Sequence, residues 1–495
     1  MKLHSICLLI SLLCFLRFLL CKKLFPVEQL RRSFGAVLGW NDGESYNRVA
    51  PLRMFFTEFN VSSSLSPPPK PARQFNRVGI VFAGGPAPAA NAVISAAAAS
   101  FLRAGCQVVG IKHGYSRLIG YDGEKRLVEG TDYLMLDHPI LKRTRNSQGI
   151  IIGTARTNPG KHVTCPADLD DPEKTAALNH VYRALRTLKI EALVSIGGDD
   201  TLKTANKLVL FQQRLPESET RIPIVHLPKT IDNDYHGIDF TFGFFTAVDF
   251  LASELRNLIY DAEVTQSYFI AETMGRSAGW LAYGAAIAGE SSLVISVEDI
   301  AGSYLISETH TNEQGQLTTR PIMNIERVVN RIVKSMLARE AEGKNYGVIV
   351  LAEGLSEFLP LDFVRGVSRD EHGHISISEI DLCSVFTKLV GKAYKLATGK
   401  DRKIKGLQLG YESRCAKPHA FDVMLGSQLG VGAYRALAEK QLDAVMVSVS
   451  GQLELFYEPF KNLVDAETLV TRVRYIQPGS DFHRLARFLE THVND

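Results

Sequence analysis

From residue 77 onward the chain alternates two patterns: short apolar runs that end in glycine or proline, and longer segments whose apolar positions recur every three or four residues. The first pattern predicts strands buried on both faces, the second helices laid on them by one side. Arg77–Ala83 (RVGIVFA), Ala192–Ser195, Ile224–Leu227, Tyr268–Thr273, Leu293–Val297, Gly347–Ala352 and Ala444–Val449 read as strands. Gly149–Arg156 (GIIIGTAR) reads as a further passage from strand to loop. Helices are predicted over Ala89–Leu102, closed by Gly105, and from Asp171-Pro172 onward, with Leu178, Val181, Tyr182, Leu185 and Leu188 on one side. Others follow over Thr201–Phe211, Phe244–Ala262, Gly279–Ala288, Ile325–Leu337 behind the cap Asn324, and Phe421–Leu437.

Strand and helix taken in turn predict an α/β protein with parallel sheets covered on both faces. The pattern repeats after about residue 244, which predicts a second αβα layer. The boundaries read as an N-terminal extension over 1–76, ending in a Ser/Pro linker, a first domain over 77–243 completed by about 415–460, a second over 244–414, and a tail over 461–495.

Two of the loops between elements carry chemistry. Ile196-Gly197-Gly198-Asp199-Asp200-Thr201 follows one apolar run, and Pro228-Lys229-Thr230-Ile231-Asp232-Asn233-Asp234 follows the next, with a helix between them. Parallel strands joined by a crossover helix point the same way, so both loops are expected at one crevice at the carboxyl ends of the strands. Glycines let a backbone approach phosphate, aspartates hold magnesium or take a proton, and a lysine neutralises a phosphoryl group in transfer. Either loop alone is also an ordinary turn.

Composition narrows this little. The chain has 495 residues, 45% hydrophobic and 22% charged, which fits a globular protein of more than one domain. Its net charge of +3 is uneven: residues 1–75 hold ten Lys or Arg against four Asp or Glu, leaving 46 against 49 for the rest. The body therefore has no basic stripe, and nucleic acid is not an expected partner. Cys7, Cys14 and Cys21 lie in the N-terminal apolar stretch, while Cys106, Cys165, Cys383 and Cys415 are far apart, a pattern that predicts neither a zinc site nor a disulfide framework. A cytoplasmic enzyme is expected from this, with one conflict at Met1–Cys21, apolar over Ile6–Leu20 and flanked by Lys2, Lys22 and Lys23. That stretch reads as a targeting or anchoring segment, as a start assigned too early, or as an amphipathic extension; membrane contact follows only if it is retained.

Taken together, Gly-Gly-Asp-Asp and, about thirty residues later, Pro-Lys-Thr-Ile-Asp-Asn-Asp resemble the phosphofructokinase family. Met274-Gly275-Arg276, Ala352-Glu353-Gly354 and Leu409-Gly410-Tyr411-Glu412-Ser413-Arg414 follow in that family's order, so the resemblance runs from about Arg77 to about Gly451. It implies two Rossmann-like αβα domains with the active site in the cleft between them, Mg2+ as cofactor, and a homo-oligomer, dimer or tetramer. It also implies roles: Asp232 as general base, Asp199 as magnesium ligand, and Thr230 as donor to the transferring phosphoryl, with Arg276 neutralising developing charge. Gly85 and Arg156 would lie at the donor phosphates, Ile231 among the substrate-binding residues, Met274 and Gly275 at the sugar, Glu353 on its hydroxyls, and Lys405, Tyr411 and Arg414 on its 6-phosphate. Asp200 and Lys229 stand where ATP-using members generally have glycine, and the pyrophosphate-using branch has these two residues. A carboxylate there adds bulk and repulsion where the α-phosphate of a nucleotide would lie, and pyrophosphate ends short of it.

The expected activity is thus reversible phosphoryl transfer from pyrophosphate to the 1-hydroxyl of fructose 6-phosphate. An ATP-dependent 6-phosphofructokinase and a non-catalytic regulatory subunit of the same family are the alternatives. Lipid and NAD kinases share a Gly-Gly-Asp loop but lack the Thr-Ile-Asp-Asn-Asp and Met-Gly-Arg segments. Two departures stand out: Gln266 and Ser267 replace a basic stretch that reaches a neighbouring subunit, and Pro86-Ala87-Pro88 follows the first glycines where an acid is common.

Overall fold

The computed structural model describes residues 70–311, 315–364, 367 and 379–493. The apolar stretch Met1–Cys21 and the Ser/Pro linker lie outside the described residues. In chain order, β1 (Arg77–Ala83) leads through a glycine turn into α1 (Ala90–Arg103), then β2 (Gln107–Ile111) and β3 (Tyr133–Met135). α2 (Pro172–Thr187) follows, capped by the Asp171 carboxylate, which accepts from the N–H groups of Glu173 and Lys174. β4 (Ala192–Gly197), α3 (Asp199–Arg214) and β5 (Ile224–Pro228) complete the crossover anticipated between the two acidic loops.

A second run begins with α4 (Phe244–Thr265), β6 (Tyr268–Thr273), α5 (Trp280–Ala288) and β7 (Leu293–Ile295). A hairpin of β8 (Leu305–Thr311) and β9 (Leu317–Met323) precedes α6 (Ile325–Ala341), whose cap Asn324 accepts from the Arg327 N–H. β10 (Gly347–Ala352), α7 (Leu382–Thr398), β11 (Ile404–Leu409), α8 (Ala420–Tyr434), β12 (Val445–Val449), β13 (Leu455–Pro459) and α9 (Asp481–Leu489) follow.

These strands build a seven-stranded sheet, ordered β13-β12-β5-β4-β1-β2-β3, and a four-stranded one, ordered β11-β6-β10-β7. In the larger sheet β12, β5, β4, β1 and β2 run parallel and the edges β13 and β3 are antiparallel; the smaller sheet is parallel throughout. The order reverses around β1, with β2 on one side and β4 on the other, and the crevice at such a reversal is where open α/β sheets bind ligands.

Alternation along the smaller sheet joins the two layers. Phe269, Ala271, Val294, Val348 and Val350 face a core continuous with the larger sheet through α4 and α5. Their neighbours Tyr268, Ile270, Leu293, Ile349 and Leu351 face a separate core under α6 and α7. Each fully buried aliphatic of this set contributes roughly 1.5–3 kcal/mol. Lys70–Asp495 is accordingly one compact unit. Alanine and glycine bring α1 and α8 backbone to backbone: a Cβ on Gly430 would stand 2.5 Å from the Val93 carbonyl oxygen and 2.7 Å from the Ala97 nitrogen.

One expected strand is absent. Gly149–Arg156 pairs with no sheet. Its backbone is bonded instead by distant parts of the chain: the Asn91 side chain of α1 accepts from Ile151 N–H (2.8 Å), and the Ile152 carbonyl accepts from His113 N–H (2.9 Å). Its isoleucines are apolar for a different reason: Ile152 is fully buried against Gly110, whose missing Cβ would lie 2.5 Å from the Ile152 side chain.

Candidate active site

Three loops meet at the reversal in the larger sheet. After β1, Gly84 takes φ +88°, a left-handed turn in which glycine avoids a Cβ clash. Its N–H donates to the Ala155 carbonyl (2.9 Å) and its own carbonyl accepts from the Thr154 hydroxyl (2.7 Å). This pins the Thr154–Arg156 segment beside the turn. Among the described residues, apart from its two chain neighbours, none places an atom within 4 Å of where a Gly85 side chain would begin.

After β4, Gly198 precedes α3 and both Asp199 and Asp200 fall in its first turn, where the helix dipole favours negative charge. Lys203, one turn on, pairs with Asp199 at 2.9 Å and with Asp200 at 3.0 Å. Asp199 also accepts a hydrogen bond from the Thr471 hydroxyl.

After β5 comes Lys229, only 6% exposed, with its ammonium over both glycine turns. Cβ atoms built on Gly84 and Gly198 would stand 3.5 and 3.6 Å from Lys229 Nζ, so the ammonium is in van der Waals reach of both turns. Burial lowers the Lys229 pKa to about 8, against the pull of Asp232, and Arg414 lowers it further. The Thr230 hydroxyl accepts from the Asp232 N–H (3.0 Å), and Thr241 donates to the Thr230 carbonyl (2.8 Å). Ile231 is buried behind the turn, against Gly243. Asn233 adopts φ +55°, fully buried, and its side chain accepts from Thr241 N–H at 2.9 Å.

The neighbouring carboxylates are both displaced upward. Burial and then Glu353 raise Asp232 to about 6, while burial, Asp232 and Asp199 raise Asp234 to about 7.

On the smaller sheet, Met274-Gly275-Arg276 leaves β6 and Glu353 leaves β10, whose ends are in register, Thr273 opposite Ala352. The Gly275 N–H donates to Glu353 Oε2 (3.3 Å), and Arg276 Nε contacts Glu357 at 3.1 Å. Glu353 is buried and raised, mainly by burial, with Gly275, Arg414, Arg276 and Arg156 opposing. A Cβ on Gly410 would fall 2.1 Å from Met274 Cγ, so the β11 loop can close on Met274 only with glycine there. Arg414 stacks on Tyr411 at 4.6 Å, and its charge acts on Lys229, Asp232 and Glu353. Gln148, just before the Thr154–Arg156 segment, donates to the Cys415 carbonyl beside Arg414 (2.9 Å), so the loop after β11 lies against the site on the larger sheet, where Glu353 acts on Asp232 and Arg414 on Lys229.

Of the residues singled out in the sequence, Asp199, Asp200, Lys229, Thr230, Ile231 and Asp232 gather on the larger sheet, with Gly85 and the exposed Arg156 beside them. Met274, Gly275, Arg276, Glu353, Tyr411 and Arg414 gather opposite. Lys405 does not join them. It pairs with Phe269 near the start of β11, where its ammonium lies 4.7 Å from the Phe269 ring and 3.4 Å from Asp261 of α4. Four residues of strand separate it from Leu409, about 13 Å at the usual rise. The sequence reading assigns no role to Lys203, Asp234, Thr471 and Arg474, although Asp234 already stands in the second acidic loop. Lys203 could have been found by spacing, one turn after Asp199. The last two reach the site only through the fold.

The pH dependence follows from these groups. If Asp232 serves as the base that the resemblance implies, it must be unprotonated, and kcat/KM is expected to fall below pH about 6; if Lys229 serves as the cation at the donor, it must be charged, and kcat/KM falls again above about 8. Glu353→Gln removes a group that raises Asp232 and should move the acid limb down, toward the ordinary aspartate range. An acid limb unmoved in a full pH profile of that variant contradicts the coupling.

A family model described as Phosphofructokinase matches residues 77–437. The chain is 31% identical over 423 residues to the pyrophosphate--fructose 6-phosphate 1-phosphotransferase of Thermotoga maritima, covering 83% of this chain and 89% of that one. It is 30% identical over 366 residues to the ATP-dependent 6-phosphofructokinase of Spirochaeta thermophila, covering 72% and 83%. Among solved structures, the pyrophosphate-dependent phosphofructokinase of Marinobacter aquaeolei superposes with a TM-score of 0.56 at 16% identity, covering 85% of this chain and 93% of that one. With strand order, paired loops and family match in agreement, the chain belongs to the phosphofructokinase family.

Proposed function

We propose that this protein transfers a phosphoryl group reversibly from pyrophosphate to the 1-hydroxyl of fructose 6-phosphate, giving fructose 1,6-bisphosphate and phosphate. The observation that carries the reading is the place of Lys229: a buried ammonium over two glycine turns, with Asp200 at the head of α3 beside it. A donor of two phosphates can be held there by backbone amides and one cation. A nucleotide continuing past Gly198 meets the Asp200–Lys203 pair.

Asp232 takes the proton of the sugar 1-hydroxyl as its oxygen bonds to the transferring phosphorus, and the bond to the bridging oxygen breaks with phosphate leaving. Lys229 and Arg156 offset the charge of the leaving phosphate, Thr230 donates to the transferring group, and Arg276 stabilises charge on the acceptor side. Glu353 accepts from sugar hydroxyls between Met274 and Gly275, and Arg414 with Tyr411 binds the 6-phosphate. The larger sheet, 77–243 completed by 415–460, serves the donor, and 244–414 the sugar.

Mg2+ fits the donor set. Asp199 offers one carboxylate beside the Thr471 hydroxyl, and no group of three or more His, Cys, Asp or Glu capable of holding a metal occurs among the described residues. Magnesium is commonly held by one or two carboxylates completed by phosphate oxygens and water, and it would supply charge neutralisation there. A cytoplasmic homo-oligomer completes the reading; among the described residues no helix is long and apolar enough to cross a membrane.

The test is product formation by the purified full chain with Mg2+, fructose 6-phosphate and either pyrophosphate or ATP. Turnover with pyrophosphate at least about a hundredfold above that with ATP is expected, equivalent to one charged donor contact in the transition state. Turnover with ATP alone refutes the donor assignment.

A further inference from the structure

The segment Thr471–Ile476 lies beyond the stretch matched by the family model, which ends at residue 437. It crosses the mouth of the site. Thr471 donates to Asp199, Val473 bridges Tyr235 in antiparallel fashion, and the Arg474 N–H donates to the Asp234 carbonyl at 2.8 Å. The Arg474 guanidinium then spans three carbonyls of one loop: Asn233 (2.6 Å), Ile238 (2.7 Å) and Asp239 (2.7 Å).

Its other face lies on Trp280, 4.7 Å from the ring, and the indole N–H donates to the Arg474 carbonyl at 2.8 Å. Trp280 opens α5, directly after the Met274-Gly275-Arg276 loop. Two residues on, the Ile476 N–H donates to Glu298 (3.0 Å), which also accepts from Gly279 N–H (3.1 Å). The segment is thus fastened to the reaction loop of the larger sheet and, on the other side, to the start of α5 and to Glu298 after β7.

We infer that Arg474 is a positioning residue for the phosphoryl transfer: it holds the left-handed Asn233, and so sets the direction of Asp232 on one side and Asp234 on the other. The inference rests on the reading of Asp232 as the base. Three features support it. Asn233 is fully buried at φ +55°, a left-handed conformation that asparagine tolerates better than most residues, and its loop neighbours' carbonyls are fixed by Arg474 while its own side chain accepts from Thr241. A planar guanidinium with five fixed donors can satisfy several carbonyls in one geometry, which an ammonium does less well. The acceptors belong to the loop that carries the reacting groups and not to a distant scaffold. Trp280 beneath the guanidinium ties this constraint to the start of α5, so Arg474 is a contact shared by the loop that carries Asp232 and the helix that follows the Met274-Gly275-Arg276 loop.

Arg474→Ala and Arg474→Lys in the full chain test it. Misplacing a reacting group by about 1 Å costs about a hundredfold in rate. For Arg474→Ala, kcat is expected to fall about that much, with KM for fructose 6-phosphate and for pyrophosphate each within about threefold of wild type. Millimolar guanidinium, but not methylammonium, should restore at least a tenth of the lost rate, and Arg474→Lys should lie between the two. Unchanged kcat, or kcat and both KM values worsening together without rescue, overturns the proposal. If Arg474→Ala does not fold, Arg474→Lys decides alone, and a wild-type kcat there overturns it. A wild-type enzyme active only with ATP would refute the donor reading and leave this one standing, since the same series run with ATP must show the same loss in kcat.

Discussion

Asp232→Asn is expected to lower kcat by about three orders of magnitude, within the range for loss of a general base, while fructose 6-phosphate still binds within about threefold of wild type. The amide preserves volume and leaves the loop untouched, because the Thr230–Asp232 contact uses the backbone N–H and not the carboxylate. Electrostatics adds a signature that a misfolded variant would lack. Asp232 opposes the fall in the Lys229 pKa, so its neutral replacement should move the basic limb of residual activity below about 8. Stability should change in the opposite sense to activity. A carboxyl raised to about 6 binds its proton more tightly folded than unfolded, so its contribution is lost as pH rises from the ordinary aspartate range through 6. The variant should therefore melt above wild type at pH 8, with the gap closing below pH 6, as for a site that trades stability for function. Single-turnover assays, sugar-phosphate titration and thermal melts at two pH values check each part. Wild-type kcat in the variant would end the assignment.

How far the site was legible from sequence depends on the kind of order each residue rests on. Asp199 and Lys229 could be placed because the apolar runs before them are short and the segment between is long enough for a helix, so parallel pairing put their loops at one end. Asp171 and Asn324 were visible as caps because capping is local. Lys405 misled because nearness in sequence to Arg414 means nothing along an extended strand, where each residue adds about 3.3 Å. Gly149–Arg156 misled because apolar residues that fill a hole beside a glycine look the same as those that line a sheet. Nothing in Thr471–Ile476 has periodicity or a motif: its side chains meet the loops more than two hundred residues earlier, and only the finished fold brings them there.

Replacing Lys229 by glycine is expected to cut turnover with pyrophosphate by about a hundred- to a thousandfold, the loss seen when one preorganised donor is removed from a transition state. Asp200 needs a finer prediction, because its carboxylate lies 3.0 Å from Lys203 Nζ. That pairing cancels much of the repulsion a nucleotide would feel at the head of α3, leaving volume as the larger obstacle. Asp200→Asn, which keeps the volume, should continue to exclude ATP. Asp200→Gly, which removes it, should admit ATP weakly, and more so in combination with Lys229→Gly, where the donor pocket loses both its wall and its cation. Lys203 then becomes the limit, since it is freed from Asp200 and still paired with Asp199 at 2.9 Å. Rates with each donor across these variants separate the two causes: ATP turnover in Asp200→Asn equal to that in Asp200→Gly would make charge, and not size, the barrier, and would require that the Lys203 pair opens whenever donor binds.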